Sequence, residues 1–571
     1  MPVLPTNRLQ ICDGRGAGFP YCRTDCDCIL AINTTDTAMS WLSVRSLKDM
    51  PAGLRWRTRI TLWLAAGAAG LFIVAFAKLT DIAQEQFRHW HAGYAWLPFV
   101  LTPAMGMLIV WATKTWLPGT QGSGIPQVIA AARLASRSET TSRLVSLRIA
   151  FGKIWMVVLG LLGGFSIGRE GPSVQVAASV VHSAYRYLPH HFVRDISQAD
   201  LILAGGAAGV AAAFNTPLAG IMFAIEELGR RHEEAKVTGI LLITVILSGL
   251  VAIGFQGNYT YFGHLDVGNV ARSIVLPVLV CGLSCGLFGG IFSRLLLMPH
   301  QYPQCKLWRF RTARPVLFAG LCGLIVAMIG WLSGGYSFGS GYAMTASAIT
   351  GHITLDWQAP FAKFAATAVS YFSGIPGGIF APALAIGAAV GFDVAPWVDG
   401  FANQHQVVAL CMAAFLAAVT QAPITAAIIV MEMVDGHGMV LSLMAVALIA
   451  KVVSSSLGPE LYQQLALGFV MHNETPSRDG HKVDCARSAC QPRTGLKVHT
   501  PSAVIIREPN RCAEAATSAH IGWPRAMRVK TSAEKLEMVV RPPRKPVMAN
   551  RRHSGGKPGC WAKKAMATPT R

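Results

Sequence analysis

Gly168-Arg169-Glu170-Gly171-Pro172 lies inside long apolar sequence, and the acid at its centre decides how the whole chain is read. Hydrocarbon offers a carboxylate neither water nor counter-ions, so an acidic residue inside an apolar run is costly and marks a functional position. Pro172 suits the first turn of a helix, where its missing N–H is no loss, and the glycines let backbone N–H groups approach a guest closely. A helix that begins here presents unsatisfied N–H groups and the positive end of its dipole, which together attract an anion. The carboxylate of Glu170 is either that anion or its competitor.

The sequence around this stretch is that of a membrane protein. Of 571 residues, 52% are hydrophobic and only 14% charged, and the mean hydropathy is +0.42. Charge-free runs at 60–77, 97–112, 201–225, 237–265, 273–293, 315–355, 364–392 and 407–431 each approach or exceed the length that crosses a bilayer. They predict an all-α, polytopic membrane domain over residues 41–474. No basic segment joined to an apolar core precedes the first run, so no secretory signal peptide is expected, and Arg55, Arg57 and Arg59 predict an N-terminus facing the cytoplasm. Residues 1–40 show no periodicity and read as a disordered or misassigned leader, with Met39 and Met50 as candidate starts.

The net charge of +21 sits mostly in the tail, where residues 475–571 carry 20 Lys and Arg against 6 Asp and Glu. That segment lacks apolar periodicity and reads as disordered. Attraction to acidic lipid is the function its composition supports; nucleic-acid binding is disfavoured because no recognition fold accompanies the charge. The 13 cysteines form no framework. Cys12, Cys22, Cys26 and Cys28 are dense but lack zinc spacing, while Cys281, Cys285, Cys322 and Cys411 lie in apolar runs as small core residues. No metal site and no cofactor are expected.

Gly122-Ser123-Gly124-Ile125-Pro126 reads as another loop entering a helix N-terminus. The Ser123 hydroxyl can donate to an anion there, the alternative being a membrane-surface turn. The run at 154–167 is free of charge for only 14 residues, which predicts a discontinuous helix ending inside the membrane. The run at 201–225 is interrupted by Asn215-Thr216-Pro217, predicting two half-length helices meeting at a break. It ends at Glu226 and Glu227, followed by Arg230, Arg231 and Lys236, a basic cluster that places this end at the cytoplasm.

The second half of the chain repeats the device. Ala417 to Ile424, ending at Glu432, matches Ala212 to Leu218, ending at Glu226, at an offset of 206 residues. Gly377-Gly378-Ile379-Phe380-Ala381-Pro382 matches Gly168 to Pro172 at an offset of 210. Paired broken helices in corresponding halves point to a repeat transporter with its site at the repeat interface. Glu226 and Glu432 correspond and read as scaffold. Glu227 does not, because Met433 occupies its place.

These motifs, in this order over roughly residues 50–470, resemble those of the CLC family of chloride channels and chloride/proton exchangers. Gly122–Pro126, Gly168–Pro172 and Gly378–Pro382 look like the family's three signature stretches, and Phe214 to Gly220 resembles a fourth. The resemblance implies a homodimer in a lipid bilayer, the bacterial inner membrane, with a pore in each subunit. Each pore would be built from two inverted repeats of tilted, partly discontinuous helices, roughly 55–265 and 270–470. It implies that Ser123 and Tyr462 hold the central anion, helped by backbone N–H groups of Ile379 and Phe380. Gly124, Ile125, Gly168, Arg169 and Gly171 would complete the anion-facing surface. Glu170 would be the gating glutamate and Glu227 the internal proton-transfer glutamate. The basic tail does not look like the nucleotide-sensing domains of many relatives, so no nucleotide regulation is implied.

The physical mechanism stands beside the resemblance. Chloride in a dry pathway needs partial positive charge without a full counter-ion, which helix N-termini and hydroxyls supply. Deprotonated Glu170 blocks an anion position; protonated, it swings out and admits chloride. Glu227, on a different helix, passes protons to Glu170 by a route separate from chloride's, and such separate routes make antiport possible. A passive chloride channel is the nearest alternative, and the acid at position 227 disfavours it because the family's channels commonly lack one there. Ser123 disfavours a fluoride-selective relative. The absence of H-E-x-x-H spacing and of a nucleophile motif disfavours a membrane-embedded enzyme.

Overall fold

The computed structural model describes residues 52–474 apart from 136–137, 189–196, 230–238, 258–261, 263–273 and 351–355. The leader with its Cys12 to Cys28 group, the basic cluster Arg230, Arg231 and Lys236, and the tail lie outside the described residues. The chain divides into a unit ending at Arg478 and a second beginning at Asp479, of which only the first is described.

Among the described residues the architecture is helical. The first half comprises α1 (Ala52–Gly93), α2 (Pro98–Thr115), α3 (Ile125–Arg133), α4 (Ser138–Leu144), α5 (Leu147–Leu162), α6 (Glu170–Ser183), α7 (Gln198–Phe214), α8 (Pro217–Phe223) and α9 (Gly239–Gln256). The second comprises α10 (Val275–Gln301), α11 (Lys306–Ala313), α12 (Pro315–Leu332), α13 (Tyr342–Thr350), α14 (Ala359–Phe372), α15 (Phe380–Val394), α16 (Gln404–Thr420), α17 (Pro423–Met433), α18 (Val440–Leu457) and α19 (Leu461–Glu474). Seven helical stretches among them are long and apolar enough to cross a membrane.

The predicted breaks form by local chemistry. Asn215 closes α7 in the left-handed conformation (φ 58°), which Asn tolerates, and Pro217 opens α8 at a position that needs no N–H donor. Gln421 closes α16 in the same conformation (φ 59°), held by its Nε2 donating to Gly458 O at 2.9 Å. The 315–355 run holds two helices, α12 and α13, because the chain turns through Gly334, Gly335, Gly339 and Gly341, all at positive φ. One expectation from run length fails: the element before Glu170 is longer than its charge-free run. Lys153 sits inside α5 without ending it, and with α4 the helical stretch 141–162 reaches spanning length.

The halves are packed alike. α6 lies on α7 as α15 lies on α16, α9 lies on α7 as α18 lies on α16, and α1 lies on α9 as α10 lies on α18. Their sequences explain the close approach: α7 is rich in Ala and Gly, α16 is rich in Ala and meets Gly387 and Gly391 of α15, both helices are almost wholly buried, and small residues let helix backbones near one another in a membrane. The halves meet at Gly168 and Gly378, where Gly168 N–H donates to Gly378 O at 2.7 Å and Gly378 N–H donates to Gly168 O at 2.8 Å. Such a reciprocal antiparallel pair between equivalent residues is what an inverted repeat produces at its centre.

Candidate functional site

The three signature loops converge. Gly377 N–H donates to Gly122 O at 3.1 Å, beside the Gly168–Gly378 pair. In α6 the first intrahelical bond runs from Ser173 N–H to Arg169 O, and in α15 from Ala383 N–H to Ile379 O, both at 2.9 Å. The N–H groups of Gly171, Ile379 and Phe380 therefore have no intrahelical acceptor, and two helix N-termini are brought to one place. Gly171 is required by space: a Cβ there would collide with Ser123 Oγ. Gly124 is required by conformation, at φ 108°.

Ser123 and Tyr462 are buried, and neither hydroxyl closes a hydrogen bond with protein, although each stands within interaction range of the other. An unsatisfied buried hydroxyl costs about 1–3 kcal/mol. Two of them at a junction of helix N-termini make a donor set suited to an anion. The Tyr462 ring is held by stacking on Phe380, with centroids 6.0 Å apart and planes 12° apart. Phe380 is wedged edge-on against Phe214 and Phe223. α19 carries Tyr462 to this position by packing on α3, a long-range contact that the sparse motif content around Tyr462 does not signal.

The other expected anion contacts divide. Gly124 N–H is committed to Gln127 Oε1 at 3.0 Å and Gly168 N–H to Gly378 O, so these two shape the loops rather than offering N–H donors. The Arg169 side chain turns towards α1, where Nη1 donates to Asp81 Oδ1 at 2.6 Å, Ala77 O at 2.9 Å and Thr80 Oγ1 at 3.1 Å. Ile125 opens α3 directly behind Ser123.

Glu170 is 1% exposed, and its Oε2 lies over Gly168, where a Cβ would collide with it. A small pocket against Glu170 is lined by Asp81, Gln84, Leu161, Arg169, Ser340 and Tyr342. It shares Asp81, Gln84, Leu161, Arg169 and Tyr342 with a cavity of about 1520 Å³. Gln84 Oε1 accepts from Ser340 N–H at 3.0 Å and Ser340 Oγ at 2.7 Å, tying the wall of this vestibule to α1.

The neighbouring acids Glu226 and Glu227 separate. The Glu226 carboxylate accepts from Ile424 N–H (3.3 Å) and Thr425 N–H (2.7 Å), capping α17. The Glu432 carboxylate accepts from Leu218 N–H (3.3 Å) and Ala219 N–H (2.8 Å), capping α8. Repeat-related acids thus cap one another's broken helices. Glu227 is fully buried in a π-helical turn, Ala224–Leu228, closed by Gly229 N–H to Ala224 O at 2.8 Å. π turns recur at functional positions. The second half has α-helix through Met433 instead, with Val434 N–H bonded to Val430 O, so the halves differ in backbone as well as in side chain. Tyr462 stands within electrostatic reach of both Glu227 and Glu170.

Two functional-looking residues were not singled out from sequence. Lys153 is fully buried, and its Nζ donates to Thr120 O (2.8 Å) and Gly122 O (2.6 Å), bracing the loop that carries Ser123. Lys363, also fully buried, donates to Ser337 O (3.1 Å), Phe338 O (3.3 Å) and Gly339 O (2.8 Å) beside the vestibule. Both amines are bound to backbone carbonyls. The signal existed: the two lysines are 210 residues apart, the offset that relates Gly168 to Gly378.

Comparison with known proteins bears on this geometry. The family model described as voltage gated chloride channel matches residues 105–455, more than half of the chain. The chain belongs to this family, the CLC proteins. As a CLC chain it is 31% identical over 436 residues to the H(+)/Cl(-) exchange transporter ClcA of Cronobacter sakazakii, covering 71% of this chain and 88% of that one. It is 29% identical over 410 residues to the ClcA of Klebsiella pneumoniae subsp. pneumoniae, covering 68% and 84%. A solved structure of a slow cyanobacterial Cl-/H+ antiporter superposes with a TM-score of 0.62 at 23% identity, covering 73% of this CLC chain and 98% of that chain. That likeness confirms the fold: a multi-pass membrane protein of inverted, partly discontinuous helices.

Proposed function

We propose that this CLC protein exchanges chloride for protons, as the names of its relatives say of them, rather than passing chloride passively. The observation that carries the reading is the burial of Glu227 in a π turn of one half, within reach of Tyr462, while Glu170 lies at the crossing of the halves. Chloride would be held by the Ser123 and Tyr462 hydroxyls with the Ile379 and Phe380 N–H groups. Glu170 would gate that site from the vestibule side, and Glu227 would supply protons from the other. The roles asked of these residues are binding, gating and proton transfer, with no bond of a substrate made or broken, so an enzyme is not called for.

In proteoliposomes loaded with chloride and diluted into low chloride, outward chloride flow should drive protons uphill, read with chloride and proton electrodes together. Chloride efflux with no proton movement would make it a passive channel.

A homodimer in a bacterial plasma membrane accords with this reading. α9 and the stretch holding α18 are the least buried of the spanning segments, 33% and 28% against 44–67% for the others, and they expose Leu250, Leu441 and Val452. Light scattering of the detergent-solubilised protein should give twice the chain mass; a monomer mass would refute the dimer.

A further inference from the structure

We propose that Gln463 and Arg133 form a positioning device that ties the proton step at Glu227 to the central anion site; the inference rests on the antiport reading above. Gln463 is 3% exposed and follows Tyr462 directly on α19. Its Nε2 donates to the backbone carbonyl of Glu227 at 2.9 Å, and its Oε1 accepts from Arg133 Nη2. Arg133 is the last residue of α3, the helix that opens directly behind Ser123. One amide therefore joins three segments: the helix started by the Ser123 loop, the helix that carries Tyr462, and the π turn that carries Glu227.

The residue type matches the task. A carboxamide presents a donor and an acceptor at one end, so it can accept from a guanidinium and donate to a carbonyl at once. Neither a carboxylate nor an ammonium does both. The guanidinium is permanently charged and polarises the amide, which strengthens the bond the amide makes to the Glu227 carbonyl. A shift of Tyr462 on loading or release of an anion moves its neighbour Gln463, and through it the backbone of Glu227. The π turn is the element best able to take up that shift, because its wider hydrogen-bond ring is less constrained than the α-helix on either side. Gln463 and Arg133 touch neither chloride nor proton in this scheme; they set where Glu227 stands.

The test compares the proton-to-chloride ratio, from reversal potentials in proteoliposomes, with the chloride turnover of each variant. Gln463→Glu keeps the acceptor for Arg133 and loses the donor to Glu227; Gln463→Leu loses both. Each should lower the ratio about fivefold, within the range of coupling between residues sharing one network, while chloride turnover stays near wild type. Arg133→Gln should lower the ratio, and Arg133→Lys, which keeps charge and a donor, should restore it. A wild-type ratio in both Gln463 variants overturns the proposal. So does loss of chloride turnover at an unchanged ratio, which would make the bridge a structural brace alone. If the wild-type protein moves no protons, the antiport reading itself fails and this inference with it, an outcome distinct from coupled transport in every variant.

Discussion

Glu227→Gln is expected to abolish proton movement while chloride still passes. The side chain is fully buried on the π turn, and Gln keeps its size and hydrogen-bonding capacity but not its exchangeable proton. Proton flux should fall by about two orders of magnitude, the lower range of what a positioned proton-transfer group contributes. Glu226→Gln is the control that the geometry supplies. Its carboxylate caps the first N–H groups of α17, and an amide oxygen keeps one of those bonds, so about 1 kcal/mol of stability is lost and coupling is kept. Parallel electrode recordings of the two variants, with thermal unfolding in detergent, separate the roles. Full coupling in Glu227→Gln would return a passive channel to contention.

Glu170→Ala is expected to leave chloride flux in place and to remove both its pH dependence and its coupling to protons. The Glu170 carboxylate folds over Gly168, where the two halves exchange backbone bonds, and it borders the pocket beneath the vestibule. Removing it takes away the acid able to enter the anion route, and leaves the Ser123 and Tyr462 hydroxyls and the helix N-termini as they were. Chloride flux measured between acidic and neutral pH should become flat. Uphill proton pumping by a chloride gradient in this variant would sink the gating assignment.

Much of this site was legible because its chemistry is local. Gly-rich loops closed by Pro126, Pro172 and Pro382 announce three helix starts, since glycine admits the positive φ and close approach while proline forgoes an N–H that a first turn does not use. Asn215-Thr216-Pro217 announces a break for the same kind of reason. Internal comparison went further: the equivalence of Glu226 with Glu432, and the lack of a counterpart to Glu227, set two adjacent acids apart. The two carboxylates then prove to be reciprocal caps across the repeats.

Other features depend on partners far away along the chain, and no periodicity or spacing carries them. Nothing near Arg169 says that its guanidinium turns to Asp81, 88 residues earlier. Run length cut the element before Glu170 short at Lys153, because hydropathy counts charges and cannot see that a buried amine is met by carbonyls from another segment. Gln463 lies 236 residues from Glu227 and 330 from Arg133, and only the packing of α19 against α3 makes them neighbours. Backbone preference and residue type place the helix ends, the breaks and the membrane character of the chain. Which donor meets which acceptor is settled by folding, since a buried polar group must find its partner wherever the packed helices bring one.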